Sequence, residues 1–343
     1  MEEINAKTQL AKIRNYEKGF VAFNLVNIGA KLGVFEALND SKEGMTAQEM
    51  ASQLGLHEPY FNIWCQTAYH FQVLDCDESG RYKFPPFLDE ILGDPTSIKN
   101  YVANVSLMVD VGGKWFVDAP EHYRTGKTMD NLYTPELTKI QTETTKNLYI
   151  VFLHMIFPKI EKLKEKLEQG IKCLDIGCGG GILITELAKA FKNTTFVGVD
   201  QNPHGVEAAK NKISNLGLGD RVSAENIGGE NLSYENEFDL VSMVCSFHEI
   251  LPDIRPVVLE NAYRALKSDG MLLILDMPFP CKLEDFRSPN YDFGILDQYL
   301  EACMGVEHLN SEEQNEMFEK MGFKSIQRMP IGKGMFEAIT ATK

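Results

Sequence analysis

The sequence holds no pair of cysteines spaced as CxxC. Its seven cysteines, Cys65, Cys76, Cys173, Cys178, Cys245, Cys281 and Cys303, are scattered and odd in number. That pattern excludes a disulfide framework and a cysteine-based zinc site, so no metal ligands are expected, and it reads as reduced thiols in a cytoplasmic protein. No window holds 18 consecutive apolar residues, so no spanning helix is expected. The opening MEEINAKTQL has no basic stretch followed by an apolar one, and no secretory signal is expected. Positive charge is also in short supply. The formal net charge of −15 over 343 residues argues against a general nucleic-acid binder and against adsorption to anionic membranes. There is no repeat and no low-complexity tract.

What is present is an ordinary globular balance, 44% hydrophobic and 24% charged, in a chain long enough for two domains. The first part is helix-rich. Apolar residues from Ile13 to Phe35 recur at helical spacing, with Gly33 punctuating the run. Thr46 and Glu49 form a capping-box pattern for a helix ending at Gly55. A third helix is expected over 60–74, and CDESGRYKFPP (76–86) reads as a small hairpin. Three helices and a wing suggest a winged helix. Between Glu43 and Gly80, however, there are six acidic residues and no Lys or Arg. A helix entering a major groove needs cations there, so the unit reads as a module for pairing two copies of the chain.

From Lys172 onward the pattern alternates between strands, at 172–176, 195–200, 222–227, 238–246 and 270–278, and helices, at 181–192, 204–215, 253–267 and 311–321. Alternation implies a parallel α/β sheet. The runs 323–332 and 334–343 are too close for a parallel crossover and should pair antiparallel.

The segment KCLDIGCGGG (172–181) joins the first of these strands to the first helix. Glycines let the backbone approach a ligand closely, and the helix N-terminus favours an anionic group. A phosphate-binding loop would need Lys and Ser/Thr after the last glycine, but Ile182, Leu183 and Ile184 follow. A dinucleotide fingerprint counted from Gly177 meets Ile182 at its third position. The pattern D-x-G-x-G-x-G is complete at Asp175, Gly177, Gly179 and Gly181. An acid then ends the second strand, Asp200, placed to accept hydrogen bonds from ribose hydroxyls.

This combination resembles the class I S-adenosylmethionine-dependent methyltransferases. LGVFEAL (32–38), MTAQEMASQLGL (45–56), the RYKFPP wing and WFVDAPEHYRTGK (115–127) resemble in particular the plant-type and bacterial small-molecule O-methyltransferases. The resemblance implies a Rossmann-like seven-stranded sheet with a C-terminal antiparallel hairpin. It also implies a winged-helix dimerisation domain at 1–98, a helical connector with the acceptor pocket at 99–168, and the catalytic domain at 169–343. It implies S-adenosylmethionine as cofactor, a homodimer, and a small hydroxyl-bearing, aromatic acceptor. The cofactor contacts it implies are Asp175, Gly177, Gly179, Gly181, Asp200, Gln201, Asn226, Ile227, Cys245 and Ser246. His248, in HEILPD after the fourth strand, falls at the family's general base, and Asp276 at its partner acid. The second acid falls at Glu307 or His308. Met108, Trp115, Phe152, His154 and Met155 are pocket candidates, although ordinary core explains such residues equally. Two positions depart from the plant pattern: Val244 stands for a Lys and Ile250 for an aromatic. Methylation of nitrogen, sulfur or carbon, a cofactor-sensing regulator and a NAD oxidoreductase remain as alternatives.

Overall fold

The computed structural model describes residues 4–130, 133–160 and 162–343, apart from the side chains of Val151, His154 and Met155. The chain divides into two compact units, Met1–Lys114 and Trp115–Lys343.

In the first unit, helix α1 (Ala6–Lys31) is capped by Asn5 and stops before Gly33, whose φ of 73° turns the chain into α2 (Val34–Asn39). Helix α3 (Ala47–Leu54) begins with the expected capping box: Glu49 N–H donates to Thr46 Oγ1 over 3.2 Å, and Thr46 N–H donates to Glu49 Oε2 over 2.8 Å. Helix α4 (Glu58–His70) follows, then a hairpin pairing Asp75 with Lys83 and Cys76 with Tyr82. Phe35, Met50, Cys65, Ala68 and Leu74 form the core, and Trp64 Nε1–H ties α4 to the Leu25 carbonyl at 3.1 Å. One face of α1 is left bare. Ile13, Tyr16 and Phe20 are exposed at 61%, 70% and 71%.

The second unit is built on a sheet of seven strands: β1 (Lys172–Ile176), β2 (Thr195–Val199), β3 (Val222–Glu225), β4 (Phe238–Val244), β5 (Leu266–Asp276), β6 (Lys324–Ile331) and β7 (Phe336–Thr342). Their spatial order is β3-β2-β1-β4-β5-β7-β6. The first five are parallel, and β7 runs antiparallel between β5 and β6. Helices α5 (Pro135–Val151), α6 (Ile182–Ala190), α7 (Pro203–Asn215), α8 (Arg255–Ala265), α9 (Asp292–Glu301) and α10 (Ser311–Met321) belong to this unit. Successive strand residues point to opposite faces. Leu240 joins a core with Tyr149, Ile184, Leu187 and Val206, while Val241 joins one with Leu174, Leu259 and Phe318. Each such side chain contributes about 1.5–3 kcal/mol on burial.

Within the segment 99–168, the later part, with Tyr149, Phe152, Ile156, Leu163 and Leu167, packs into the same core as the sheet, because its apolar face has nowhere else to be buried. Helix α5 gives way to a π-helical turn at Phe152–Ile156, with Pro158 just beyond. A helix at Asp292–Glu301 was not anticipated.

Candidate active site

The strand order reverses between β1 and β4, and ligands of open parallel sheets bind in the crevice at that edge. The glycine turn, Asp200, His248 and Asp276 all follow or end strands there.

The turn after β1 is held from both sides. Gly177 and Cys178 donate their N–H groups to the Val199 carbonyl, at 2.9 and 3.1 Å. Gly179 N–H donates to Asp200 Oδ2 at 2.8 Å, and Asn202 N–H donates to the other oxygen at the same distance. Gly177 has φ +80°, and a Cβ there would lie 2.4 Å from the Ser246 Cβ. At Gly181, φ +69°, a Cβ would lie 2.8 Å from the Ala209 Cβ. Gly179 faces open space, with nothing within 4 Å of where a Cβ would stand. A ligand can therefore meet bare backbone beside the N-terminus of α6, which suits the amino-acid end of a cofactor. Burial raises the Asp200 carboxyl above its ordinary value, against the backbone N–H groups of Asn202 and Gly179.

The remaining cofactor candidates are distributed around this turn. Asp175 is buried and accepts from Ser242 Oγ at 2.7 Å; burial pushes its carboxyl up to about 7. Ser246 Oγ–H donates to the Ile176 carbonyl at 2.8 Å. Asn226 Nδ2–H donates to the Asp200 carbonyl at 2.9 Å. Gln201 is exposed and bonds Tyr133, and Ile227 packs in part against the core. Cys245 sits at φ +51°, a conformation that bends the chain out of β4.

Beyond that bend lies the second half of the site. Asp276 holds His248 twice: Oδ1 is 2.5 Å from Nδ1, and Oδ2 accepts the His248 N–H at 3.0 Å. Both residues are buried. Burial disfavours the charged imidazole, but Asp276, Glu301 and Asp297 outweigh it, so His248 holds its proton well above the ordinary histidine range. Asp276 is driven down for the converse reason, its own burial being overcome by His248. The Glu249 carboxyl, although the residue reaches the surface, is pushed up to about 8 by desolvation and by Glu301.

His308 is the partner that reaches this dyad. Its ring centre is 4.8 Å from that of His248. Glu307, the neighbouring candidate, is exposed and contributes only its carbonyl, which accepts from Arg255 Nη2 at 2.7 Å. One side chain decides between them: buried Arg255 also donates to the carbonyls of His248 and Ile250, and so clamps the two loops with His308 inward.

Two residues were missed altogether. Asp297 and Glu301 lie one turn apart on α9 and point at both histidines. Asp297 Oδ2 is 3.6 Å from His248 Nε2 and 3.3 Å from His308 Nε2. Glu301 Oε2 is 3.7 and 4.0 Å from the same atoms. The available signal was acid spacing of four, Asp297 to Glu301, ahead of a histidine at 308.

The pocket candidates separate. Phe152 is 1% exposed, its ring 6.1 Å from that of Phe157, and is core rather than pocket wall. The side chains of His154 and Met155 lie outside the described residues. Met108 belongs to the first unit and Trp115 opens the second, both half-buried.

A family model described as "Methyltransferase domain" matches residues 174–272, from β1 into β5. The bacteriochlorophyllide d C-20 methyltransferase of Chlorobaculum tepidum is 23% identical over 324 residues, 90% of each chain. Among solved structures, human N-acetylserotonin methyltransferase in complex with S-adenosylmethionine superposes with a TM-score of 0.79 at 15% identity, covering 100% of this chain and 99% of that one. A mitomycin 7-O-methyltransferase superposes at 0.80 and 17% identity, covering 98% of both. Residues 174–272 thus match a methyltransferase domain, and the glycine turn and strand order around them are those expected of the S-adenosylmethionine-dependent class. Within that class the chain has the architecture of the plant-type and bacterial O-methyltransferase fold, with its N-terminal helical unit and C-terminal antiparallel hairpin.

Proposed function

We propose that the protein methylates a small, hydroxyl-bearing, aromatic metabolite, with the His248–Asp276 dyad removing the acceptor's proton. The observation that carries this reading is the 2.5 Å contact between His248 Nδ1 and Asp276 Oδ1 at the sheet edge that also bears the glycine turn. When bound, S-adenosylmethionine supplies a methyl group on a positively charged sulfur, and the carbon–sulfur bond breaks as the acceptor oxygen attacks. The chain's work is positioning, exclusion of water and proton handling. Gly177, Gly179 and Gly181 present backbone to the amino-acid end. Asp200 meets the ribose, with Gln201 beside it; Asn226 and Ile227 flank the base. Cys245 and Ser246 line the turn toward the reacting methyl. Asp276 fixes the imidazole so that Nδ1 carries its proton and Nε2 is left to take the acceptor's. The step requires the neutral ring, and the nearby sulfonium charge favours that form.

A carbon acceptor is the second reading. It is favoured by the relative matched over 90% of this chain, which is named as a C-20 methyltransferase. Loss of a proton from carbon also needs a base, so the dyad serves either reaction. Two copies of the chain pair through the first unit, where the bare face of α1 supports an interface. The protein works in the cytoplasm. Among the described residues no helix is long and apolar enough to cross a membrane.

Incubation with methyl-labelled S-adenosylmethionine and a panel of phenols, enolisable compounds, amines and thiols, read by mass spectrometry, tests this. Labelled product from a phenol, lost in His248→Ala, is expected. Cofactor binding with product only on nitrogen or sulfur acceptors would overturn it.

A further inference from the structure

We infer that His248, Asp297, Glu301 and His308 bind one divalent transition-metal ion, and that this ion takes the acceptor's oxygen as a further ligand. Cysteine spacing carries no trace of such a site, because its donors are imidazole and carboxylate, drawn from the loop after β4, from α9 and from the loop before α10.

The donor atoms converge. One ligand atom from each residue lies within 4.8 Å of every other. Four of the separations are 3.3, 3.6, 3.7 and 4.0 Å. Ligands held about 2.1 Å from a common ion stand roughly 3.0–4.2 Å apart, depending on geometry, so only a small contraction is needed.

The polar atoms in this cluster are otherwise unused. Asp297 Oδ2, Glu301 Oε2 and both ring nitrogens of His308 are buried without a hydrogen-bond partner. The His308 side chain is 1% exposed, so water cannot easily serve it. Buried polar atoms of native proteins are satisfied as a rule, and three of these orphans, Asp297 Oδ2, Glu301 Oε2 and His308 Nε2, face one point and demand a common partner. His308 Nε2 and Asp297 Oδ2 approach to 3.3 Å without the geometry of a full hydrogen bond. A dication satisfies donors of both kinds at once.

The surroundings support the same assignment. Asp276 accepts from His248 Nδ1, which leaves the Nε2 lone pair directed at Asp297 and Glu301. A carboxylate behind a histidine is the usual support for a metal ligand. His308 is fixed through its backbone: its N–H donates to Gln298 Oε1, on the same helix as the two acids. Two imidazoles with two carboxylates suit zinc, iron, cobalt or nickel, not calcium or magnesium, which take oxygen ligands.

The ion's role toward the acceptor rests on the methyl-transfer reading above; the ion site itself does not. With the ion bound, His248 is a ligand. The acceptor hydroxyl loses its proton to water because the ion stabilises the oxyanion, and the lone pair on that oxygen forms the new bond to carbon. Direct proton removal by His248 is then the route of the metal-free chain.

The test uses Co²⁺ as probe on chelator-treated full-length protein, followed by visible d–d absorption and calorimetry, with S-adenosylhomocysteine binding measured in parallel. One Co²⁺ per chain is expected, in a low-symmetry site with intense absorption. His308→Ala and Glu301→Gln should weaken Co²⁺ at least about 10-fold, the scale seen when a metal's support is removed. The exposed Glu284→Gln should leave it unchanged. Circular dichroism and retained S-adenosylhomocysteine binding show that each variant is folded. Folded wild-type protein that binds S-adenosylhomocysteine but no Co²⁺ overturns the inference, as does equal Co²⁺ affinity in His308→Ala. Co²⁺ binding without S-adenosylhomocysteine binding would sink the methyltransferase reading and leave the ion site standing.

Discussion

Gly179 N–H donates to Asp200 Oδ2 over 2.8 Å, so the glycine turn after β1 and the acid after β2 are one mechanical unit. The other carboxylate oxygen holds Asn202 N–H, at the start of α7. Asp200→Ala therefore removes two backbone bonds as well as the proposed ribose contact. Hydrogen bonds to charged groups contribute about 1.5–3 kcal/mol each, so S-adenosylhomocysteine affinity should fall at least about 10-fold. Calorimetric titration checks it, and unchanged affinity would remove Asp200 from the cofactor site.

Gly177→Ala combines a left-handed φ of +80° with a Cβ 2.4 Å from Ser246. Strain at such positions costs about 1–3 kcal/mol. The thermal midpoint should drop by a few degrees and cofactor binding should weaken together with it. A variant as stable and as tightly binding as the parent would show that the turn is wider than described.

His248→Ala should bind S-adenosylhomocysteine as the parent does and lose roughly 100-fold or more in turnover, the usual scale for a proton-transfer group. Asp276→Asn should fall in the same direction, because the amide cannot replace the carboxylate that holds both His248 Nδ1 and His248 N–H. Single-turnover kinetics separates this from a binding defect.

Asp175 gives a pH signature. Burial raises its carboxyl from the ordinary 3.8 to about 7, so between those values the folded chain binds more protons than the unfolded chain. Its contribution is therefore full below the unfolded value and is lost as pH rises toward the folded one. A shift of this size corresponds to about 4 kcal/mol at most. Asp175→Asn should flatten the fall in stability between about pH 4 and pH 7. Urea unfolding of parent and variant across that range measures the difference; parallel curves would contradict the burial argument.

The face of α1 bearing Ile13, Tyr16 and Phe20 is exposed within its unit. Phe20→Glu should convert a dimer to a monomer by light scattering without loss of helical circular dichroism. A dimer that survives both Phe20→Glu and Tyr16→Glu would place the interface elsewhere.

Local signals were strong wherever backbone and burial agreed. The capping box at Thr46–Glu49 starts α3 as its residues require, and Gly33 separates α1 from α2. Helix α9 escaped for a physical reason. Leu296 and Tyr299 are exposed at 56% and 55%, while Asp297 and Glu301 are turned inward. Its polarity is inverted, so its acids read as a solvated surface. Phe152 shows the reverse limit: an apolar residue on a helix fits a pocket wall as well as a core, and only packing chose the core.

The succession of strands with the helices between them, α9 excepted, the glycine turn, its acid at Asp200 and the histidine after β4 were determined by the amino-acid sequence alone, because each depends on neighbours within a few residues. Which of Glu307 and His308 faces the dyad, and that two acids of α9 join them, was decided by tertiary structure. Those contacts are set by Arg255 clamping the His248 loop to the distant Glu307 loop, and no local pattern carries the direction of a side chain across that stretch of chain.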